Sequence, residues 1–91
     1  MFRKSLFLFP QNSRAKEATV AEQISKILEE AQEVVQAYED DEDDARIVEE
    51  TFDCIQACEG LLRKFSKRDV IIEFAKVKIK SMRRGDYFGK A

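Results

Sequence analysis

The chain contains no histidine and no tryptophan, and its 91 residues include only one proline, three glycines and two cysteines. Without histidine there is no imidazole to act as a base or a metal ligand, and two thiols alone do not predict a zinc site. The scarcity of proline and glycine favours long helices, because these two residues are the strongest helix breakers. Cys54 and Cys58 lie four residues apart on an apolar helical face, and we expect two small buried side chains.

Long apolar segments are also missing. No run of about 18 apolar residues occurs, so we expect no membrane partner. The opening segment "MFRKSLFLFP" has too short an apolar part for a signal peptide, and no small-residue cleavage site follows it. We therefore expect a cytoplasmic protein. A chain of this length allows one domain that buries only about 60 to 65 % of its unfolded surface, so a second copy would add considerable stability.

Charge is abundant and unevenly distributed. Residues 29–53 carry twelve acids and one base, whereas residues 63–84 carry nine bases and two acids. This asymmetry predicts one region suited to cations and another suited to anions. The acid run "EDDEDD" at residues 39–44 is predicted to be a turn between two helices, since aspartate suits helix N-caps and the run lacks the glycine of an EF-hand calcium loop.

Apolar residues recur at helical spacing on both sides of this turn. The first predicted helix starts at Thr19, which forms a capping-box pattern with Glu22, and its apolar stripe extends to Tyr38. The second predicted helix follows the acid run and covers residues 47–65, with Gly60 near its end.

A third predicted helix begins at Ser66 and Asp69, which have capping-box spacing, and stops at Gly85. Residues 1–18 form an N-terminal arm to which we assign no secondary structure, and residues 19–91 form a helical domain with a basic C-terminal tail. The predicted fold is therefore all-α, a short helical hairpin plus a third helix. We expect copies of the chain to associate as an oligomeric, four-helix-type bundle.

Four acids have matching positions on the two hairpin helices. On the first helix Glu30 and Glu33 lie roughly 90° and 150° from the apolar stripe, and Glu50 and Asp53 have the same offsets on the second helix. If the stripes pack against each other in an antiparallel hairpin, all four carboxylates converge about 12 Å from the turn.

Such a convergence of negative charge is unfavourable without a cation. All-oxygen ligation favours Mg²⁺ or Mn²⁺ over zinc. We therefore predict a metal site formed by Glu30, Glu33, Glu50 and Asp53. Glu29 and Glu49 lie further around the helices, where they could orient a nucleophile. Ordinary solvated faces remain the alternative explanation of these acids.

The segments "LEEAQEV" and "EETFD" resemble the E-x-x-E and E-x-x-D motifs of the MazG-like all-α nucleotide pyrophosphohydrolases, and "KIKSMRRGDYFG" is similar to the basic stretch that ends that module. The resemblance covers residues 19–89, although "GDY" stands where MazG has a His-Pro-His-like segment. It implies a dimeric or tetrameric, Mg²⁺-dependent enzyme that cleaves nucleoside triphosphates into the monophosphate and pyrophosphate, with a possible role in nucleotide house-cleaning. It also implies that the four acids are the metal ligands.

The residues present fit this chemistry. A metal-activated water is the simplest nucleophile, and one of Glu29, Glu30 or Glu49 would accept its proton. Basic residues that could hold the phosphates lie on the third helix and beside Glu30. These are Lys26, Lys76, Lys80, Arg83 and Arg84.

Two other functions remain open. A phosphoribosyl-ATP pyrophosphohydrolase or a dimeric dUTPase would share the metal ligands and differ in the substrate pocket, although the Ser-Tyr-Thr-like start of the former is missing. A non-catalytic helical interaction module would keep the bundle without metal dependence. Nucleic acid is disfavoured as a partner, because the acidic groove would repel a phosphate backbone.

Overall fold

The structure, a computed structural model, describes residues 6–40 and 43–87, and within these ranges it is helical with no strand. The all-α prediction is therefore confirmed. A short helix, within the arm to which no secondary structure was assigned, precedes the three predicted ones. The helices are α1 (Ser13–Glu17), α2 (Val20–Glu39), α3 (Asp44–Leu62) and α4 (Lys67–Arg83).

The start of α2 is the predicted capping box. Thr19 Oγ1 accepts a hydrogen bond from the backbone N–H of Glu22 (3.1 Å), and Glu22 Oε1 accepts one from the N–H of Thr19 (2.8 Å). At the other side of the hairpin turn, Asp43 is the N-cap of α3 and accepts from the N–H of Arg46 (3.0 Å). The acid run thus ends one helix and caps the next, while its two central positions, 41 and 42, lie outside the described residues.

Both ends of α4 also follow local signals. Ser66 caps its N-terminus by accepting from the N–H of Asp69 (3.1 Å). At its C-terminus Gly85 has a φ of 77°, its N–H donates to the Met82 carbonyl, and the N–H of Asp86 donates to the Ser81 carbonyl. This is a Schellman motif, which requires the left-handed conformation that glycine adopts most readily. The "FG" of the family-like ending, at 88 and 89, lies outside the described residues.

The contact between α2 and α3 differs from the predicted one. The residues of α2 that are most shielded by α3 recur at intervals of three and four and include Gln23, Glu30 and Ala37, and the matching residues of α3 include Glu50 and Ala57. The prediction that the two apolar stripes pack against each other, with the acids on the flanks, was wrong. Glu30 and Glu50 lie within the helix–helix seam itself.

The apolar stripe of α2 is mostly exposed as a result, and that of α3 is half-buried with some exposed residues. Leu28 is 61 % exposed, Val35 54 % and Tyr38 74 %, and Val48 and Phe52 of α3 are exposed as well. Among the described residues the buried apolar side chains are small, and none of the large ones is fully buried. Hydrophobic periodicity identified the helices correctly, but residues 6–40 and 43–87 leave much of the apolar surface that it marks uncovered.

The N-terminal arm and α1 pack on the C-terminal half of α3. The buried carboxylate of Glu59 accepts hydrogen bonds from the N–H groups of Leu8 (2.9 Å) and Phe9 (3.0 Å). The guanidinium of Arg63 donates to the carbonyls of Phe9 and Pro10, and Lys64 donates to the carbonyl of Ala18. Three charged side chains at the end of α3 and just after it therefore bind the backbone of the arm.

Helix α4 makes only marginal contact with the other three helices. Val70 is buried near its start, but Ile72, Phe74 and Val77 are exposed. An open apolar groove of about 540 Å³ lies between this part of α4, the end of α3 and the arm at Leu6.

The chain as a whole is extended for its length. Its radius of gyration is 15.6 Å, whereas a compact domain of this length has about 12 Å. Its accessible surface is 7769 Å², which is about 2,300 Å² more than a folded monomer of this mass exposes. In the described part of the chain, no helix combines the length and the apolarity needed to cross a membrane.

Candidate functional site

The site centres on three carboxylates from the two hairpin helices. Oxygen atoms of Glu30, Glu50 and Asp53 lie within 4.8 Å of one another. Glu30 is 7 % exposed and Glu50 is 3 % exposed, while Asp53 lies at the edge of the seam. The antiparallel hairpin brings these groups together because positions 30 and 53 are equally far from the centre of the turn.

Glu33 joins this acidic cluster from α2. The neighbouring Glu50 carboxyl raises the pKa of Glu33 above its ordinary value of 4.5, and the charge on Glu30 raises it further. Glu33 also shares a group of close carboxylate oxygens with Glu30, and Glu30 in turn lies with Glu50 and Asp53. The four acids predicted as metal ligands therefore lie in neighbouring groups that are joined by Glu30.

Each of the two buried carboxylates has one satisfied and one unsatisfied oxygen. Glu30 Oε1 pairs with Lys26 Nζ at 2.8 Å, and Glu50 Oε1 pairs with Arg46 Nη2 at 2.7 Å. Glu30 Oε2 and Glu50 Oε2 are buried without a hydrogen-bond partner. A buried carboxylate oxygen without a partner is strongly unfavourable. The carboxylates of Glu30, Glu50 and Asp53 therefore form a donor set that fits a hard divalent cation.

Asp53 adds to the electrostatic imbalance of the site. Partial burial raises its pKa above the ordinary value of 3.8, the charges of Glu30 and Glu50 raise it further, and Arg46 opposes them only weakly. The acidic cluster therefore contains more negative charge than Lys26 and Arg46 neutralise.

The two outer acids, Glu29 and Glu49, differ in their surroundings. Oxygen atoms of Glu29, Glu30 and Glu33 form a second group within 4.8 Å, and Glu29 has a loose ion pair with Lys26 at 3.7 Å. Glu49 is held by Arg46 at 2.5 Å and belongs to neither group of clustered carboxylates. Glu29 is thus part of the acidic cluster, and Glu49 stands beside it.

The predicted phosphate-binding residues fall into two separate places. Lys26 contacts Glu30 directly. The other four lie on the C-terminal half of α4 and at its C-cap, and they line a shallow depression of about 370 Å³ of their own: Lys76, Lys80, Arg83 and Arg84. None of the residues of α4 that the structure describes lines the cleft beside the acidic cluster.

That cleft, of about 480 Å³, lies between α1 and the hairpin, and Glu30 and Asp53 form part of its wall. Arg14 and Lys26 supply positive charge, and Gln56 supplies an amide. The sequence did not indicate Arg14, because α1 is too short to be recognised by periodicity and its position depends on contacts with α3.

The wall of the cleft is closed by a buried amide. Gln23, which is 4 % exposed, donates from Nε2 to the carbonyl of Ala57 at 2.9 Å and so ties α2 to α3 next to the acids.

Comparisons of the chain with protein-family models, with curated proteins and with solved structures give no match.

Proposed function

We propose that this protein is a Mg²⁺-dependent nucleoside triphosphate pyrophosphohydrolase of the MazG-like type, which converts a (deoxy)nucleoside triphosphate and water into the monophosphate and pyrophosphate. The observation that carries the proposal is the pair of buried glutamates, Glu30 and Glu50, each of which has one oxygen with no hydrogen-bond partner among the described residues. Both lie in one group with the carboxylate of Asp53. A cytoplasmic enzyme of this kind would remove unwanted nucleotides.

The four clustered acids have distinct parts in this proposal. Glu30, Glu50 and Asp53 would hold the cation, and Glu33 would complete the set from the exposed side of the seam. The chemistry that bound Mg²⁺ or Mn²⁺ supplies is neutralisation of phosphate charge and activation of water. Because Lys26 and Arg46 already pair with one oxygen of each buried glutamate, these glutamates are fixed in place before a metal arrives.

Glu29 fits the role of proton acceptor best. Its carboxylate is 61 % exposed, it lies beside Glu30 and Glu33, and its ion pair with Lys26 is long. Glu49 is less suited, because its Oε1 is paired with Arg46 at 2.5 Å and it belongs to neither group of clustered carboxylates. Glu30 is less suited as well, because it is buried between α2 and α3 and paired with Lys26.

The enzyme would work as an oligomer. The exposed apolar stripes, the large radius of gyration and the surplus of about 2,300 Å² of surface are what a subunit of an obligate oligomer would have, since such interfaces bury roughly 2,000 to 5,000 Å² in total. The basic residues of α4 are remote from the cleft of their own chain. In a dimer or tetramer they would hold phosphates at the site of a neighbouring copy.

Product analysis tests this function. A panel of NTPs and dNTPs is incubated with the protein in Mg²⁺ or in EDTA, and the products are separated. We expect monophosphate and pyrophosphate only with the metal, and a loss of turnover of at least about a hundredfold in Glu50→Gln. Glu39→Gln, an exposed acid at the end of α2, is the matched control and should retain activity.

A second candidate, a non-catalytic helical interaction module, is favoured by one observation: the apolar faces of α2 and α4 are exposed together. Such a module would bind its partner equally well in EDTA and after the Glu50→Gln change. Absence of turnover on every nucleotide, including phosphoribosyl-ATP, in a folded protein that is saturated with Mg²⁺ would favour the module over the enzyme.

A further inference from the structure

Arg14 is a cation at the wall of a cleft that also contains Glu30 and Asp53. Within the part of the chain that the structure describes, its guanidinium makes no hydrogen bond and no ion pair. The other cation of the cleft, Lys26, is already engaged by Glu30 at 2.8 Å. Arg14 is therefore the positive group of this cleft that is available to an anion.

The position of Arg14 is fixed by its neighbours in α1. Asn12 caps the helix by accepting from the N–H of Ala15 (3.1 Å), and the Ala15 side chain packs directly on the backbone of Gly60 in α3. Lys64 Nζ donates to the carbonyl of Ala18 just after the helix. These contacts hold a helix of only five residues against α3, so the Arg14 side chain starts from a fixed backbone at the edge of the cleft.

The cleft has the size and the polarity of a nucleotide site. Its volume of about 480 Å³ lies within the range of roughly 300 to 1,000 Å³ that is usual for small-molecule sites. It is acidic on the side of Glu30 and Asp53, and basic where Arg14 stands. A triphosphate bound through a divalent cation at the acids would extend its remaining phosphates toward a positive group.

We propose that Arg14 binds the terminal phosphates of the substrate, the part that leaves as pyrophosphate. The inference rests on the proposed function, because it takes a nucleoside triphosphate as the ligand of this cleft. The planar guanidinium donates two parallel hydrogen bonds to phosphate oxygens, which gives it both affinity and orientation. Arg14 is thus a substrate-binding residue contributed by the arm, outside the segment that resembles the MazG-like module.

Direct binding measurements test the role of Arg14. Calorimetry gives the Kd of magnesium pyrophosphate and of a nucleoside monophosphate for the wild type, for Arg14→Gln and for Arg14→Lys. We expect Arg14→Gln to weaken pyrophosphate binding about tenfold or more, the usual effect of losing a charged hydrogen bond, and to change monophosphate binding less than about twofold. Arg14→Lys should lose less affinity for pyrophosphate, because lysine keeps the positive charge although it lacks the two parallel N–H donors of the guanidinium.

Lys16→Gln is the matched control. Lys16 is the other cation of α1, but it faces a different depression, next to Gly60 and Arg63. We expect wild-type affinity for pyrophosphate in this variant. Circular dichroism of all variants checks that α1 and the hairpin remain folded.

The outcomes separate the two proposals. Unchanged pyrophosphate affinity in Arg14→Gln, an equal loss in Lys16→Gln, or no pyrophosphate binding by the wild type would overturn the role of Arg14. A wild type that binds pyrophosphate through Arg14 but releases no monophosphate from any triphosphate would support the binding site and overturn the hydrolase.

Discussion

Gly60 and Ala15 are in such close contact that a Cβ atom added at position 60 would lie 2.7 Å from the Cβ of Ala15. The same atom would lie 2.9 Å from Nε2 of Gln23, the amide that ties α2 to α3. Gly60 is thus the point at which α1, α2 and α3 meet. Its place in the middle of a helical pattern is explained by this approach.

Gly60→Ala tests the importance of that contact. On helix propensity alone the change would stabilise the protein by roughly 0.5 to 1 kcal/mol, but the added methyl must displace Ala15 and Gln23. We expect a net destabilisation of about 1 to 3 kcal/mol, the usual cost of overpacking. Urea denaturation measures it, and a variant that is more stable than the wild type would contradict the close approach.

The acidic cluster predicts that stability depends on the metal. At a Mg²⁺ concentration of 100 times Kd, we expect the folded wild type to gain about 2.7 kcal/mol over the protein in EDTA. Asp53→Asn removes a proposed ligand and also relieves repulsion from Glu30 and Glu50, so this variant should be more stable than the wild type in EDTA and gain little from Mg²⁺.

Glu39→Gln is the control for that measurement, because this acid lies at the exposed end of α2, away from the cluster. It should respond to Mg²⁺ as the wild type does. Thermal unfolding with and without Mg²⁺ gives both comparisons. An equal gain from Mg²⁺ in Asp53→Asn and the wild type would show that the cation binds elsewhere.

The raised pKa values of Glu33 and Asp53 predict a pH dependence in EDTA. The folded protein holds protons on these groups more tightly than the unfolded chain does, so their contribution is fully present below about pH 4 and is lost as pH rises through the raised pKa values. The contribution of Glu22 to stability changes with pH in the opposite direction. Its hydrogen bonds with Thr19 lower its pKa, so this contribution is lost on acidification.

Comparison of the wild type with Glu33→Gln isolates the contribution of the cluster. The free energy of unfolding in EDTA, measured by urea titration from pH 4 to pH 7, should fall less with rising pH in the variant. Saturating Mg²⁺ should remove the difference in slope, since the cation replaces the proton. A steeper fall in Glu33→Gln would contradict the contact between Glu33 and Glu50.

The exposed stripe of α2 predicts self-association. Leu28→Glu places a charge in the middle of the stripe, where burial against another copy would be strongly unfavourable. We expect the wild type to sediment as a dimer or tetramer and Leu28→Glu to sediment as a smaller species. Gln11→Glu, an exposed position outside all four helices, is the control and should behave as the wild type. A monomeric wild type at micromolar concentration would contradict the prediction.

Local sequence signals predicted most of the secondary structure. Thr19, Ser66 and Gly85 mark helix ends through hydrogen bonds that span only a few residues. Because these bonds depend only on the local sequence, the helix ends can be predicted from it. Helix α1 was not predicted, because five residues are too few to show the hydrophobic periodicity of a helix. Its stability comes from α3, through Gly60 and Lys64, which are more than 40 positions away.

The sequence predicted which acids form the cluster, but it did not predict that two of them are buried. Equal distances from the turn correctly placed Glu30 with Asp53 and Glu33 with Glu50. The assumption that an apolar stripe faces the neighbouring helix of the same chain placed the acids on the flank, whereas Glu30 and Glu50 are buried in the seam. Periodicity identifies an apolar surface, but it does not identify what covers that surface.

The attachment of the arm to α3 has a consequence for sequence variation. Glu59, Arg63 and Lys64 bind main-chain N–H and C=O groups, which almost any residue offers. The exposed side chains of Leu8 and Pro10 can therefore change with little effect on these hydrogen bonds, while Glu59, Arg63 and Lys64 cannot. Sequence variation at these two positions of the arm is thus compatible with an unchanged scaffold.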